Sequence, residues 1–136
     1  MIAEPLRWAV VIVDLDPAMG HEQAGVRRAL VVSNEPFHRA NLAQVCPISA
    51  SRSEPRYPSE IVIPRGHAGQ TKDALILCHQ VRTIGLERIT ATVVGGRTIQ
   101  YVTDPDIRTR VREALAHQLG LDIPLGADLS ISRRYQ

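Results

Sequence analysis

A chain of 136 residues, 44% hydrophobic and 22% charged, has the composition of one globular domain and lies far from disordered or fibrous classes. Its formal net charge of +2 permits contact with nucleic acid without arguing for it, because dedicated binders usually concentrate a basic stripe. No apolar run approaches the ~18 residues needed to span a bilayer, and Glu4 and Arg7 interrupt the N-terminus, so neither a membrane protein nor a signal peptide is expected and the cytoplasm is the expected compartment.

The first two thirds of the chain read as strands. WAVVIVDL over residues 8–15 and RALVVS over 28–33 are rich in β-branched residues and bounded by the turn sequences DPAMG and NEPF. AQVCPIS (43–49), SEIVIP (59–64) and one long run, DALILCHQVRTI (73–84), continue the series, separated by the polar loops ASRSEPRYP and RGHAGQTK. ITATVV (89–94) follows and is closed by Gly95-Gly96. These runs are nearly continuous in apolar residues instead of alternating, which predicts strands buried on both faces of a curled sheet or small barrel. Cys46 and Cys78 sit inside such runs and are expected as buried small hydrophobes, not as a disulfide.

The period then changes. Asp104 is placed as an N-cap, Pro105 as the first helical residue, and Asp106 near the positive end of the helix dipole. Ile107, Val111, Ala114, Leu115 and Leu119 share one face at helical spacing, and Gly120 is the expected stop. The predicted architecture is mainly β within the α+β class: a small antiparallel barrel carrying a C-terminal helix. It forms one domain over residues 1–120, with a tail over 121–136 that packs on it and whose DLSIS segment adds a short strand.

Metal and nucleophile motifs are absent from the sequence. The five histidines show no ligand spacing, there is no C-x-x-C, no G-x-S-x-G elbow and no Walker or Rossmann glycine loop, so neither metal nor cofactor is expected. What remains is a set of polar residues at strand ends: His21, Glu22 and Gln23 in the first loop, Arg27 and Arg28 entering the second strand, Ser49 leaving the third, and His79, Gln80, Arg82 and Thr83 in the fifth. Strand ends and loops gather on one rim of a small barrel, where sites are usually built. Each also has an ordinary structural reading: Arg27 as a solvated charge, Ser49 as a turn hydroxyl, Gln80 as the partner of a buried backbone group. Composition and pattern alone establish no enzyme.

The order of the segments says more. VVIVDLDPAMGHEQAGVRRALVVSN, VCPIS, YPSEIVIP and ALILCHQVRTI together resemble the MazF/PemK family of toxin endoribonucleases over about residues 7–120. The resemblance implies an SH3-like, plasmid-maintenance barrel, a homodimer, a cognate antitoxin, and metal-independent, sequence-specific cleavage of single-stranded RNA. In that chemistry the ribose 2′-OH attacks its own 3′ phosphate and leaves a 2′,3′-cyclic phosphate and a 5′-OH. The family's catalytic arginine maps onto Arg27 and its catalytic hydroxyl onto Ser49, with His21 and Glu22 as candidate aids to proton transfer. Gln23, Arg28, His79, Gln80, Arg82 and Thr83 are then the expected RNA contacts. The chain departs from the family pattern at Trp8-Ala9 (usually Gly-Asp), His21 (serine), Arg28 (proline), Ser49 (threonine) and His79 (an acidic residue). These departures are expected to shift sequence preference, and Trp8 is open to two roles, a base-stacking platform or a core residue. Two other functions stand beside the nuclease: a CcdB-like toxin that binds DNA gyrase, and a weakly active homologue that binds RNA or antitoxin.

Overall fold

A computed structural model describes residues 4–126 of the protein. The described residues form eight short strands, seven of them from the apolar runs: β1 (Ala9–Asp14), β2 (Val26–Val31), β3 (Leu42–Ser49), β4 (Glu60–Ile63), β5 (Ala74–Leu77), β6 (Arg82–Gly85), β7 (Ile89–Ala91) and β8 (Gln100–Tyr101). The helix α1 (Pro105–Gln118) follows them. The sheet runs β4-β5-β3-β2-β1-β7, with β6 also beside β3 and β8 beside β1, and its ladders are antiparallel.

β3 is the hinge of this arrangement. One edge carries β2, while the other pairs first with β6 through Leu42–Val45 and then with β5 through Ile48 and Ser49. The strand thus leaves one half of the sheet and enters the other, and the sheet curls into a half-barrel with α1 packed against β4. Both faces of its central strands are buried. Val10, Leu30, Cys46 and Ile48 face a core that includes Ile107 and Val111 of the helix, whereas Val11, Val13, Ala29, Val31 and Val45 face a second core with Leu6, Leu15 and Ile84. Each fully buried Val, Leu or Ile contributes roughly 1.5–3 kcal/mol. Two-sided burial explains why these strands read as continuous apolar runs.

The long run at 73–84 is not a single strand. β5 ends at Leu77, a 3-10 turn takes Cys78–Gln80, and β6 begins at Arg82. A straight strand could border only one half of the bent β3; the turn lets the same apolar run serve both halves. Cys78 stays in the helix-side core and Ile84 enters the other. The run at 89–94 is likewise shorter, ending at Ala91, after which Val94 is buried beside the 65–70 loop. Three elements had no sequence expectation: β8 and two 3-10 turns, over Glu35–Ala40 and Leu86–Arg88.

The helix obeys its local signals. The Asp104 carboxylate accepts the N–H groups of Asp106 (2.8 Å) and Ile107 (3.3 Å), and Ile107, Val111 and Ala114 are buried. Leu119 is the exception: as the C-cap residue it leaves the helical face and is 63% exposed. Gly120 then takes the left-handed conformation (φ +71). Residues 121–126 are mostly exposed, and the DLSIS segment lies outside the described residues.

Cys46 and Cys78 are free and buried in the same core, where their mutual hydrogen bond, followed by burial, raises the Cys46 thiol well above its ordinary value. Trp8 is also a core residue, only 8% exposed, so it presents no stacking platform. Its backbone is left-handed (φ +68), a conformation suited to the glycine of the family pattern. Hydrogen bonds from Trp8 N–H to the Val31 carbonyl and from Val102 N–H to the Trp8 carbonyl, both 2.8 Å, hold it there. Arg7 and Arg108 cover the indole at 5.4 and 5.2 Å from its centroid.

Candidate active site at the strand-end rim

The loop joining β1 to β2 is fixed at its base and again near its tip. At the base, Leu15 N–H donates to the Gly25 carbonyl (2.9 Å), and Gly25 N–H donates to Asp16 Oδ1 (3.0 Å). Two guanidinium groups distant in sequence add to this: Arg82 Nη1, from β6, donates to the Leu15 carbonyl (3.1 Å), and Arg88 Nη1, from the 3-10 turn before β7, to those of Asp14 (3.2 Å) and Asp16. Near the tip, Gln80 uses both ends of its amide. Its Nε2 donates to the His21 carbonyl (3.1 Å) and its Oε1 accepts Gln23 N–H (3.3 Å). The loop in turn receives Arg27, whose Nε donates to the Ala24 carbonyl at 2.7 Å.

Beneath this loop lies an open cleft of about 710 Å³ bordered by His21, Gln23, Ser49, Tyr57, His79 and Gln80. A smaller hollow of about 350 Å³ adjoins it, sharing Gln23, His79 and Gln80 and adding Glu22 and Arg82, whose charged ends are 4.0 Å apart. Ser49 is half-buried, with Oγ 2.9 Å from Ser51 Oγ. His79 is oriented by Ser59 Oγ, 3.0 Å from its Nδ1, and by the edge of Tyr57 at 6.2 Å.

Ser51, Tyr57 and Ser59 belong to the 50–59 loop, which sequence reasoning passed over although its polar, proline-punctuated composition marked it. That loop is anchored by Glu60, 3% exposed, whose carboxylate pairs with Arg52 and accepts Arg56 N–H at 2.7 Å. The Arg52 guanidinium, chiefly, outweighs burial and holds the Glu60 carboxyl below its ordinary value. His117 and Gln118, at the end of α1, close the far side of the cleft and were also unread as site residues.

Arg27 and Arg28 point to opposite faces of β2. Arg27 pairs with Val13 and shares its face, while Arg28 pairs with Ile12 and faces the helix-side core. Both border a third hollow, about 240 Å³, with Gln70, Thr71 and Lys72. The β2–β3 register sets Ala29 opposite Pro47, and continued two residues outward it sets Arg27 opposite Ser49. The two therefore stand on adjacent strand ends but border different hollows. Thr83 stands apart from the rest: it is exposed on β6 opposite Gln44, inside β3 and away from the three hollows. Among the described residues no group of three His, Cys, Asp or Glu is placed to hold a metal ion.

One other cluster resembles catalytic machinery and is not. Ser33 Oγ lies 2.6 Å from His38 Nε2, and His38 Nδ1 lies 3.2 Å from Glu35 Oε2. Ser33 is 4% exposed and its oxygen already accepts Gln44 N–H at 3.0 Å, so no substrate reaches it. Glu35 accepts the N–H groups of Leu6 and Arg7, both at 2.9 Å. Burial alone would raise its carboxyl; the bonds from Arg7, His38 and Leu6 bring it below the ordinary value. This cluster staples the N-terminal segment to the first 3-10 turn.

A curled antiparallel half-barrel with one C-terminal helix and a polar, loop-covered rim at its strand ends is the architecture of small bacterial toxins of one class. Residues 6–119 match the family described as PemK-like, MazF-like toxin of type II toxin-antitoxin system, and the chain belongs to that family. It is 33% identical over 116 residues to Endoribonuclease EndoA of Bacillus subtilis (strain 168), covering 85% of this chain and 94% of that protein. Among solved structures it is similar to MazF from Deinococcus radiodurans, with a TM-score of 0.66, 28% identity and coverage of 85% and 96% of the two chains. It also shares its fold with a mycobacterial endoribonuclease solved in complex with its cognate antitoxin, with a TM-score of 0.64, 20% identity and coverage of 89% and 100%.

Proposed function

We propose that this toxin is an endoribonuclease that cleaves single-stranded RNA at the rim formed by the ends of β2 and β3. The observation that carries the reading is the placing of Arg27 and Ser49 on those adjacent strand ends, under a loop clamped from across the sheet, in a chain similar to EndoA. The ribose 2′-OH attacks its neighbouring phosphorus; the O2′–P bond forms, the P–O5′ bond breaks, and the products end in a 2′,3′-cyclic phosphate and a 5′-OH. Charge builds on the pentacoordinate phosphorane, so fixed cationic donors are what the reaction most needs. Arg27 supplies a planar fork matched to phosphate oxygens, and Ser49 donates to a non-bridging oxygen. His21, which borders the cleft with Ser49, takes the 2′-OH proton, while Glu22, facing Arg82, is less well placed. The departing O5′ takes a proton from the Arg27 guanidinium, and both groups are reset through water, which carries the proton taken up by His21 back to Arg27. Gln23, Arg28, His79, Gln80 and Arg82 line the path of the strand.

The partner of this enzyme is a cognate antitoxin, its working form is a homodimer, and its place of action is the cytoplasm, where transcripts are. Purified protein incubated with single-stranded RNA in EDTA should give fragments ending in cyclic phosphate. Arg27→Ala should reduce cleavage at least ~100-fold, since removing one phosphorane-stabilising donor costs about that much. Full activity in that variant would overturn the assignment, and gyrase poisoning without RNA cleavage would move the protein to the gyrase-binding class.

A further inference from the structure

We propose that Arg28 and Lys72 form a second phosphate clasp that grips the RNA backbone beside the scissile phosphate; the inference rests on the endoribonuclease reading above. Arg28 stands where the family motif has proline, so the clasp is a property of this chain and not of the shared chemistry.

Three observations support it. First, Arg28 is docked and not loose: its Nη1 donates to the Gly69 carbonyl at 3.2 Å, which leaves the rest of its five-donor fork for a ligand. Second, the loop it docks on is rigid. Gly69 has φ +77, and a Cβ there would lie 2.6 Å from the Val94 carbonyl oxygen; a Cβ at Gly95 would in turn lie 2.9 Å from the Gly69 carbonyl oxygen. The same loop is closed by Gly66 N–H to the Gln70 carbonyl and Gln70 N–H to the His67 carbonyl, both 2.9 Å, with Gln70 only 6% exposed. Third, the hollow between that loop and the end of β2 is bordered by Arg27, Arg28, Lys72 and Thr71 and by no carboxylate. Among the described residues neither Arg28 nor Lys72 takes part in an ion pair.

A solvated surface arginine would be expected to find an acid or to wander. Here a positioned guanidinium, an ammonium and a hydroxyl converge where negative charge is missing. Because Arg27 and Arg28 lie on opposite faces of β2, a strand crossing the end of β2 meets both, Arg27 at the phosphate being cleaved and Arg28 with Lys72 at its neighbour. The ligand chemistry is a phosphodiester oxygen pair, for which the arginine fork and the lysine point charge are complementary tools.

The test uses a short single-stranded RNA spanning a cut site mapped on natural RNA, with a 2′-deoxy sugar at the cut so that it binds without being cleaved. Its Kd is measured across a salt series for wild type and for the Arg28→Gln/Lys72→Gln double variant. Neutralising one phosphate of a single strand contributes about 0.7 to the slope of log K against log salt, so the double variant should lose about 0.7. Its affinity should fall by a similar factor for RNAs of different sequence, as a backbone contact requires. Lys72→Gln alone, at an exposed position, should lose part of that slope and keeps the test open should the arginine change disturb folding. An unchanged slope, in a protein whose wild type cleaves RNA, overturns the clasp. So does an unchanged slope combined with weaker binding of an acidic antitoxin segment, which would assign the hollow to a protein ligand. A wild type that neither binds nor cleaves RNA overturns instead the endoribonuclease reading.

Discussion

Gln80→Leu isolates the clamp on the β1–β2 loop. The replacement keeps most of the side-chain volume and removes two hydrogen bonds, to the His21 carbonyl at 3.1 Å and from Gln23 N–H at 3.3 Å. Each such bond contributes about 0.5–1.5 kcal/mol net, so the held loop should lose about 1–3 kcal/mol relative to a released one, a factor of roughly 5–150 in that equilibrium. The effect reaches the chemistry through Ala24, whose carbonyl, one residue beyond Gln23, holds Arg27 Nε at 2.7 Å. A misplacement of about 1 Å can cost ~100-fold in rate. We therefore expect single-turnover cleavage to fall about 10–100-fold in kcat with a smaller change in KM. Global melting should hardly move, because beyond Leu15 at its base no residue of the loop belongs to either core.

Two readouts check the path of the effect. Hydrogen exchange at the Gln23 amide should lose protection by about the same factor as the loop equilibrium shifts. Gln80→Glu keeps the acceptor for Gln23 N–H but sets a second acceptor against the His21 carbonyl, so it should rescue little. Wild-type cleavage by Gln80→Leu with the Gln23 amide exposed would show that the loop need not be held. A slowed enzyme with full protection at Gln23 would show that Gln80 acts on RNA directly.

Two further changes test the frame around the site. Glu60 has a depressed carboxyl in the folded protein, so its contribution is present above the unfolded carboxylate value and is lost as pH falls through the lower folded value. Glu60→Gln should therefore lower Tm by several degrees at neutral pH, the gap to wild type closing below about pH 4, and a gap that stays constant into acid would refute the ion-pair account. At Trp8 the left-handed backbone opposes any side chain while burial favours one, so Trp8→Gly should cost on the order of 2–4 kcal/mol. Trp8→Ala should be less stable than Trp8→Gly by about 1 kcal/mol, reversing the order usual within strands and helices, and the ordinary order in chemical denaturation would show that the backbone there is not strained.

What the sequence made legible was set by how local each cause is. The helix could be read because Asp104, Pro105 and the spacing of Ile107, Val111 and Ala114 act within four residues. Leu119 was misjudged because the periodic face ends one residue earlier, at a cap. Two-sided burial was readable in Val10 and Val11, but the same continuity hid the break at Cys78–Gln80, since apolar residues on both sides of a turn look like one strand. That break depends on β3 dividing its outer edge between β5 and β6, which no single segment announces.

The rim shows the same limit more sharply. Its residue types were all visible, yet the contacts that give them a task span long separations: Gln80 to His21, Arg82 to Leu15, Arg88 to Asp14. Gln80 reads in the sequence both as an RNA contact and as the partner of a backbone group; the fold shows it in the second role, one bond at each end of its amide, with a second N–H and a second lone pair left over. The arginine pair needed only local information, since adjacent strand residues face opposite ways. What that alternation could not supply was the floor beneath each: a loop carbonyl for Arg27, and for Arg28 a glycine-locked loop with a lysine across the hollow. A second arginine at a strand mouth is unremarkable in sequence and becomes a binding element only when the fold brings a rigid partner to it.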